Sequence, residues 1–493
     1  MTLDPRTPVL VGAGLVDQRI DAPDRARDAF EAIDLMRQAI EAAADDAGGR
    51  SLLADMRWIA VPAGMWSYRD PARLLAERIG ATSAHGVLAE VGILQQELLD
   101  RACDAIARGD LDVAVVVGGE AKYRAQQLGR AGIDAPDVDD SGSVPDETLV
   151  AEHIGVADVE ITRNFVSPVS VFAAIDSAIR ADQGWTIDEH RAHLGRLWER
   201  FGRVAAGNPR AWDRSAPSAE AIITPGPGNR MVAFPYTRLL ASQWNVDQAG
   251  AFVLCSAEAA RRHGVPDDRW VFPQVSTVSN HAVPAAQRAA MHRSPGAAAA
   301  GRSLFETANV GVDDIAHIDL YSCFPAAVQI YARELGIGLD RQLTVTGGMT
   351  FAGGPFNNYV LQALGRLVEL LRSDPGSLGL SSSVSGPLVK QGFGLWSTQP
   401  PAGGFRSVDV TTAVAARDEP RPLVDDMTDP THVVAYTVDE PLRGVQRLVA
   451  VLEDPTGART IGQSLDTTLI EQASTHEWVG RAVGVEAGEL RAG

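Results

Sequence analysis

"TVTGGMTFAGGPFNNYV", residues 344–360, reads as a loop built to hold something. Gly347, Gly348, Gly353, Gly354 and Pro355 fall within nine positions, followed by Asn357, Asn358 and the apolar start of a helix. Glycine lets backbone N–H groups approach a ligand closely, as in phosphate-cradling loops. No Lys-Ser or Lys-Thr follows, so this is not a P-loop, and the spacing is not the dinucleotide fingerprint. The rest of the chain has to say what the loop serves.

At 493 residues the chain is long enough for two or three domains and a large core. A net charge of −19 and a pI near 5.0 argue against nucleic acid or an anionic membrane as partner. No apolar run approaches the roughly 18 residues of a membrane span. "MTLDPRTPVLVGAG" also lacks the form of a signal peptide, so a cytoplasmic protein is expected. Cys103, Cys255 and Cys323 lie far apart with no CxxC pair, and the histidines show no HExxH spacing. Neither disulfides nor a metal site is expected. Of 44 basic residues only Lys122 and Lys390 are lysine, each beside a glycine-rich stretch, GGEAK and KQGFG. Two readings stand for them: exposed surface residues, or groups at a pocket mouth.

Strand and helix patterns alternate along the chain. "TPVLVGAGLVD" reads as a buried strand, and "RARDAFEAIDLMRQAIEAAADDAGG" as an amphipathic helix with Phe30, Ile33, Met36, Ile40 and Ala44 on one side. "MRWIAVPAGM" is a strand, "ILQQELLDRACDAIARGD" a helix with Leu94, Leu98, Ala102 and Ile106 on one ridge, and "LDVAVVVGGE" a fully buried strand. This alternation predicts parallel sheet with helices on its faces. Residues from about 120 to 240 change character and read as an inserted lobe. Strand-helix order then restarts with "AGAFVLCSAEAARRHG", "IAHIDLYSCFPAAVQIYARELG" and "GLGLSSSV", which suggests a duplicated core. The division expected is 1–265, 266–398 and 399–493. After about residue 400 the helices are expected to stop, and "PTHVVAYTVDEPLRGVQRLVAVLEDPTGARTIGQSL" reads as a β-meander with a "DPTG" turn, part of a small barrel.

Five stretches in the right order resemble the thiolase superfamily. "AIARGDLDVAVVVGGE" is similar to the helix end and strand after the thiolase nucleophile, and "VDQAGAFVLCSAEAARRHG" to a strand-to-helix stretch of the family. "DLYSCFP" resembles the loop written NEAF in ordinary thiolases and HDCF in the sterol-carrier-protein branch. The opening loop lines up without gaps on NxNGGxxxxGHPxGxxG, and "GLGLSSSVSG" falls at the family's late Cys-x-Gly loop. The resemblance covers about residues 7–395. It implies an α/β fold: a duplicated thiolase-type core of two βαβαβ-type halves, layered α-β-α-β-α, with an inserted loop domain. The C-terminal segment resembles the oligonucleotide/oligosaccharide-binding (OB) β-domain of some thiolase-like proteins.

The family's chemistry runs through an acyl-cysteine at a helix N-terminus, an Asn or His and a second His at the enolate oxygen, and a late Cys that moves the α-proton. Carried over position by position, the nucleophile falls at Gly92, the first residue of the NEAF/HDCF loop at Tyr321, the GHP histidine at Gly354 and the late cysteine at Ser383. All four differ. Cys103, about 16 Å further along the helix at roughly 1.5 Å per residue, reads as core, as does Cys255. Cys323, inside the active-site loop, is a candidate reactive thiol. The resemblance implies a coenzyme A thioester as ligand, no tightly bound cofactor, and a homodimer, with a monomer left open. Gly353, Gly354, Asn357, Lys122 and Lys390 are the candidate substrate-binding residues, the lysines through a CoA phosphate or the substrate carbonyl. Three readings stay open: an acyl-CoA-binding protein without thiolase activity, a retro-aldol lyase using Tyr321 as acid/base, and a non-catalytic scaffold. In the second, Gly92 and Gly354 are expected to leave room for a bulky β-substituent.

Overall fold

The computed structural model describes residues 3–427, 430–440 and 444–492; residues 441–443, inside the stretch read as a meander, lie outside these. In chain order the first half supplies strands β1 (Pro8–Asp17), β2 (Trp58–Pro62), β3 (His85–Ala89), β4 (Val113–Ala121) and β5 (Glu147–Leu149). Two short strands of the insert follow, β6 (Met231–Ala233) and β7 (Tyr236–Thr237), and then β8 (Asp247–Ser256). The second half holds β9 (Phe272–Ser279), β10 (Ile315–Asp319), β11 (Leu378–Ser385), β12 (Lys390–Ser397) and β13 (Arg406–Asp409).

The duplication is visible in the strand order. The first sheet runs β1-β8-β4-β2-β3-β5 and the second β10-β11-β12-β9-β13. Within them β1-β8-β4-β2 and β9-β12-β11-β10 repeat one pattern: two antiparallel pairs, then a parallel one. The apolar runs explain the central places. Val113 to Val117 of β4 are fully buried, as a strand covered on both faces requires.

Between the sheets lie the helices Gln95–Arg108 and Tyr359–Ser373. Leu98, Ala102 and Ile106 of one and Leu361, Leu364, Leu367 and Leu371 of the other share a core with Phe252 and Leu254 of β8 and Trp396 of β12. Each fully buried Leu or Ile there contributes about 1.5–3 kcal/mol. Cys103 joins this core and Cys255 the core on the opposite face of the first sheet. The outer layers are the helix Ala32–Asp46 against the first sheet and the helices Pro295–Ala308 and Pro325–Leu335 against the second. The layering is α-β-α-β-α. The first helix starts at Ala32, not Phe30, whose ring is 48% exposed ahead of the turn.

The C-terminal strands β14 (Thr431–Asp439), β15 (Arg447–Glu453), β16 (Arg459–Ser464), β17 (Ala482–Glu486) and β18 (Glu489–Ala492) close on themselves in the order β14-β15-β16-β18-β17-β14. This is a five-stranded OB-type barrel. The Asp454–Gly457 turn joins β15 to β16. Helices do not stop at 400: Thr411–Ala415 and Thr467–Thr475 are helical. Asp466 caps the second by accepting the Thr468 and Leu469 N–H groups, and Leu469, Ile470 and Ala473 fill the barrel core. In "SLDTTLIEQAST" Asp466 is an N-cap signal for this helix. The barrel sheet continues into β6 and β7 of the insert. Among the described residues no helix is long and apolar enough to cross a membrane.

One ionisable group sits inside the central layer. Asp100 accepts from Gln96 Nε2 at 2.8 Å, and burial pushes its pKa up to about 7. The folded chain therefore holds this proton more tightly than the unfolded chain. Its stabilising contribution is complete below about pH 4 and lost as pH rises through about 7. Asp100→Asn is expected to flatten the loss of stability between about pH 5 and about pH 8 by about 2–3 kcal/mol, read from denaturant midpoints at each pH.

Candidate functional site

The glycine loop is fixed from below by a buried carboxylate. Asp319, at the end of β10, accepts from Val345 N and Thr344 Oγ1 at 2.9 Å each and from Tyr359 Oη at 3.0 Å. Thr344 Oγ1 in turn accepts the N–H groups of Gly347 (3.0 Å) and Gly348 (3.1 Å). Burial raises the Asp319 pKa to about 6 despite these donors. From above, the insert helix Ile187–Gly207 lies directly on the loop. A Cβ on Gly347 would come within 2.6 Å of the Ala205 backbone and one on Gly348 within 2.5 Å of the Phe201 ring. Trp198 Nε1 donates to Thr350 Oγ1 at 3.0 Å.

The far end of the loop meets the N-terminus of the first central helix. Gln95 Nε2 donates to Asn357 O at 3.0 Å and to Asn357 Oδ1. Just before that helix, the Gly92 carbonyl accepts from Lys390 Nζ at 2.9 Å. Lys390 is therefore no surface residue: it is 5% exposed, and burial lowers its pKa, opposed by the charges of Glu97 and Glu152. Lys122 is half-buried elsewhere, its Nζ 5.7 Å from the Trp244 ring centre. Two of the expected binding residues, Asn357 and Lys390, thus meet the N-terminal end of the Gln95–Arg108 helix, whereas Lys122 does not join them.

The space expected at the two key glycines is not there. A Cβ on Gly354 would lie 2.2 Å from Ser242 Oγ and 3.1 Å from Met349 Cβ. At Gly92 it would lie 2.8 Å from Ala151 Cβ, and φ there is +111°, a conformation that side chains disfavour. Gly353 is as tight, 2.4 Å from Gln248 Oε1. Neighbouring side chains have taken the volume, so the room expected for a bulky β-substituent is corrected to close packing. Ser383 lies inside β11, fully buried, its Oγ 3.4 Å from Gly392 O.

Tyr321 follows β10, its N–H on Ser382 Oγ at 2.8 Å and its ring edge-on to Tyr359 with centroids 5.7 Å apart. Burial pushes its phenol pKa up, which favours the protonated, hydrogen-bond-donating form near neutral pH. Burial also raises the Cys323 thiol, against its reading as a reactive thiolate.

Of a set of carboxamides beside the loop, the sequence reading named Asn357 and missed Asn358, Gln248 and Gln362. Asn358, the residue before the Tyr359–Ser373 helix, is 3% exposed, and neither its Nδ2 nor its Oδ1 has a protein partner among the described residues. Gln248 Oε1, Gln362 Nε2 and Asn357 Nδ2 are likewise unpaired. Each such group carries about 1–3 kcal/mol of unreturned desolvation. The sequence signal was the Asn-Asn pair; Gln362 follows it in the first turn of the Tyr359–Ser373 helix, and Gln248 comes from the distant β8. No cluster of metal-binding side chains occurs among the described residues.

The whole chain superposes on the whole of a monomeric SCP2-thiolase-like protein type 1 from Mycobacterium smegmatis, with a TM-score of 0.83 at 24% identity. The fold is that of the thiolase superfamily. Two further solved structures match 80% of this chain over nearly all of theirs. One is an aldolase described as Ltp2-ChsH2(DUF35), with a TM-score of 0.60, 16% identity and 99% of that chain covered. The other is an acetyl-CoA acetyltransferase from Syntrophomonas wolfei, with a TM-score of 0.56, 18% identity and 100% of that chain covered. No family model and no curated protein matches the sequence.

Within this thiolase fold, filling of the Gly354 space is directly testable. Gly354→Ala is expected to destabilise the protein by about 1–3 kcal/mol through overpacking. The loss should shrink in a Ser242→Ala background. Equal losses in both backgrounds, measured by denaturant unfolding, would show that Ser242 is not the obstacle.

Proposed function

We propose that the protein binds a coenzyme A thioester on its thiolase scaffold and does not perform thiolysis or Claisen condensation. The observation that carries this is the packing at Gly354: where the fold's histidine would stand, Ser242 Oγ and Met349 occupy the space, and neither is a base. Gly92, held at positive φ against Ala151, supplies no nucleophile. The glycine loop itself is kept, anchored on Asp319 and clamped by the insert, with unpaired carboxamides beside it that suit the neutral oxygen and amide groups of a thioester ligand. Localisation in the cytoplasm is part of the same proposal.

A monomer also belongs to this reading. The outer edge of β3 is covered by β5 of the same chain, in parallel register Val87–Glu147, Leu88–Thr148 and Ala89–Leu149. The other edge strand, β1, exchanges two backbone hydrogen bonds between Leu10 and Val271. The three-residue β5 rather than β3 thus stands at the sheet edge, and so short an edge strand offers little ladder to a second copy. The Mycobacterium smegmatis protein is described as monomeric, which supports the same choice over the expected homodimer.

The second reading, retro-aldol cleavage of a β-hydroxyacyl-CoA, is favoured by Tyr321 at the carboxyl end of β10, where open α/β sheets place ligands. In it the phenol would donate a hydrogen bond, and the proton would leave to another group.

Three measurements separate these readings. Acetoacetyl-CoA thiolysis should be absent, and Gly92→Cys should not restore it, since catalytic groups act as a unit. A CoA ester at about a hundred times its Kd should raise stability by about 2.7 kcal/mol; no thermal shift with any ester favours a scaffold. Carbonyl product from a β-hydroxyacyl-CoA, lost in Tyr321→Phe, would replace the binder reading with the lyase.

A further inference from the structure

A cavity of about 230 Å³ opens between the insert helix Ile187–Gly207 and residues 340–344, and none of Gly92, Tyr321, Gly354 or Ser383 lines it. Its apolar part is one face of that helix, Leu197, Phe201 and Val204, facing Leu343. The spacing of four and three residues puts these side chains on a single stripe. Arg200, Arg203 and Arg341 share the lining with a single carboxylate, Asp340. In a chain of net charge −19, that local excess of cations is against the trend.

The guanidiniums of Arg200 and Arg341 are held by carbonyl oxygens, and the two nearby carboxylates, Glu199 and Asp340, are fewer than the three arginines. Arg341 Nη1 donates to Val312 O at 2.8 Å and its Nη2 to Ile315 O; Arg200 Nη2 donates to Leu339 O. Carbonyl oxygens orient a guanidinium and leave its charge in place. Arg203 pairs with Glu199 at 2.8 Å, but with a side chain 66% exposed that pair is weak. Burial lowers the Arg200 pKa and the neighbouring Arg203 charge lowers it further, against Asp340. Two like charges beside an apolar floor are relieved by an anion.

We propose that this cavity is a binding site for a small organic monocarboxylate, its apolar body on Leu197, Phe201, Val204 and Leu343 and its carboxylate on Arg200 and Arg203. At ~30 Å³ per water-sized group the volume holds about eight non-hydrogen atoms. Hexanoate has that size and shape. The site does not rest on the thioester reading, since it lies apart from the residues that carry it. It reaches the same loop, because Thr344 lines the cavity and its hydroxyl accepts the Gly347 and Gly348 N–H groups.

The test is titration of the full chain with hexanoate, hexanol and inorganic phosphate, followed by calorimetry or ligand-observed NMR. Saturable hexanoate binding, weakened about tenfold or more in Arg203→Gln and again in Arg200→Gln/Arg203→Gln, is the expected result. Arg203 is exposed, so its variant folds whether or not the double one does. Val204→Phe, which fills the apolar side, should also weaken hexanoate. Hexanol binding as tightly as hexanoate would overturn the anion site, and phosphate competing equally would overturn the apolar one. No saturable binding, or an Arg203→Gln affinity equal to wild type, would overturn the proposal as a whole.

Discussion

Two helices between the two sheets set the terms for this molecule. Gln95–Arg108 and Tyr359–Ser373 each bury an apolar face in the core they share, and their polar residues are left to the remaining face and the ends. Polar side chains that enter this layer carry a penalty, visible in the raised pKa of Asp100. The helix N-termini, with their unpaired N–H groups, are the places where polar chemistry can gather. The glycine loop, Gln95, Asn357, Asn358 and Lys390 all assemble there.

Around that centre the accessory parts act as clamps. The insert presses Ala205 and Phe201 onto Gly347 and Gly348, which only glycine permits at such distances. The barrel is tied to the insert by Arg180, fully buried, which meets Glu477 at 2.7 Å and Tyr436 Oη at 2.8 Å. Arg459 of β16 reaches the Ala286 and Arg288 carbonyls of the second half. Loss of either arginine would strand buried acceptors, so the barrel, the insert and the core hold one another in place.

The same packing bears on the proposal that the scaffold works without thiolase groups. Replacing a histidine by glycine would leave a hole of several heavy atoms, a costly defect in a close-packed interior. Here Ser242 and Met349 close on Gly354, and Ala151 closes on Gly92. A side chain added at either glycine would collide with this packing.

Much of the architecture was legible because it rests on local periodicity: buried runs for β4 and β8, a three-to-four ridge for Gln95–Arg108, and a second round of the same pattern. The Thr467–Thr475 helix was not, since nine residues among strands carry too little periodicity to stand out. At the site, the sequence located the loop, and the resemblance placed Gly92, Tyr321, Gly354 and Ser383 where the family's motifs have other residue types. It did not show whether the changed positions were empty or filled, because Ser242 and Ala151 are remote in the chain from Gly354 and Gly92. Nor did it show that Lys390 faces inward to the Gly92 carbonyl, or that Asp319 carries the loop. The sequence by itself determined the layered fold, a property of the periodicity of short segments. Tertiary structure alone decided which side chains fill the space beside Gly354 and Gly92 and which polar groups were left unpaired, because packing and desolvation are set by neighbours far apart in the chain.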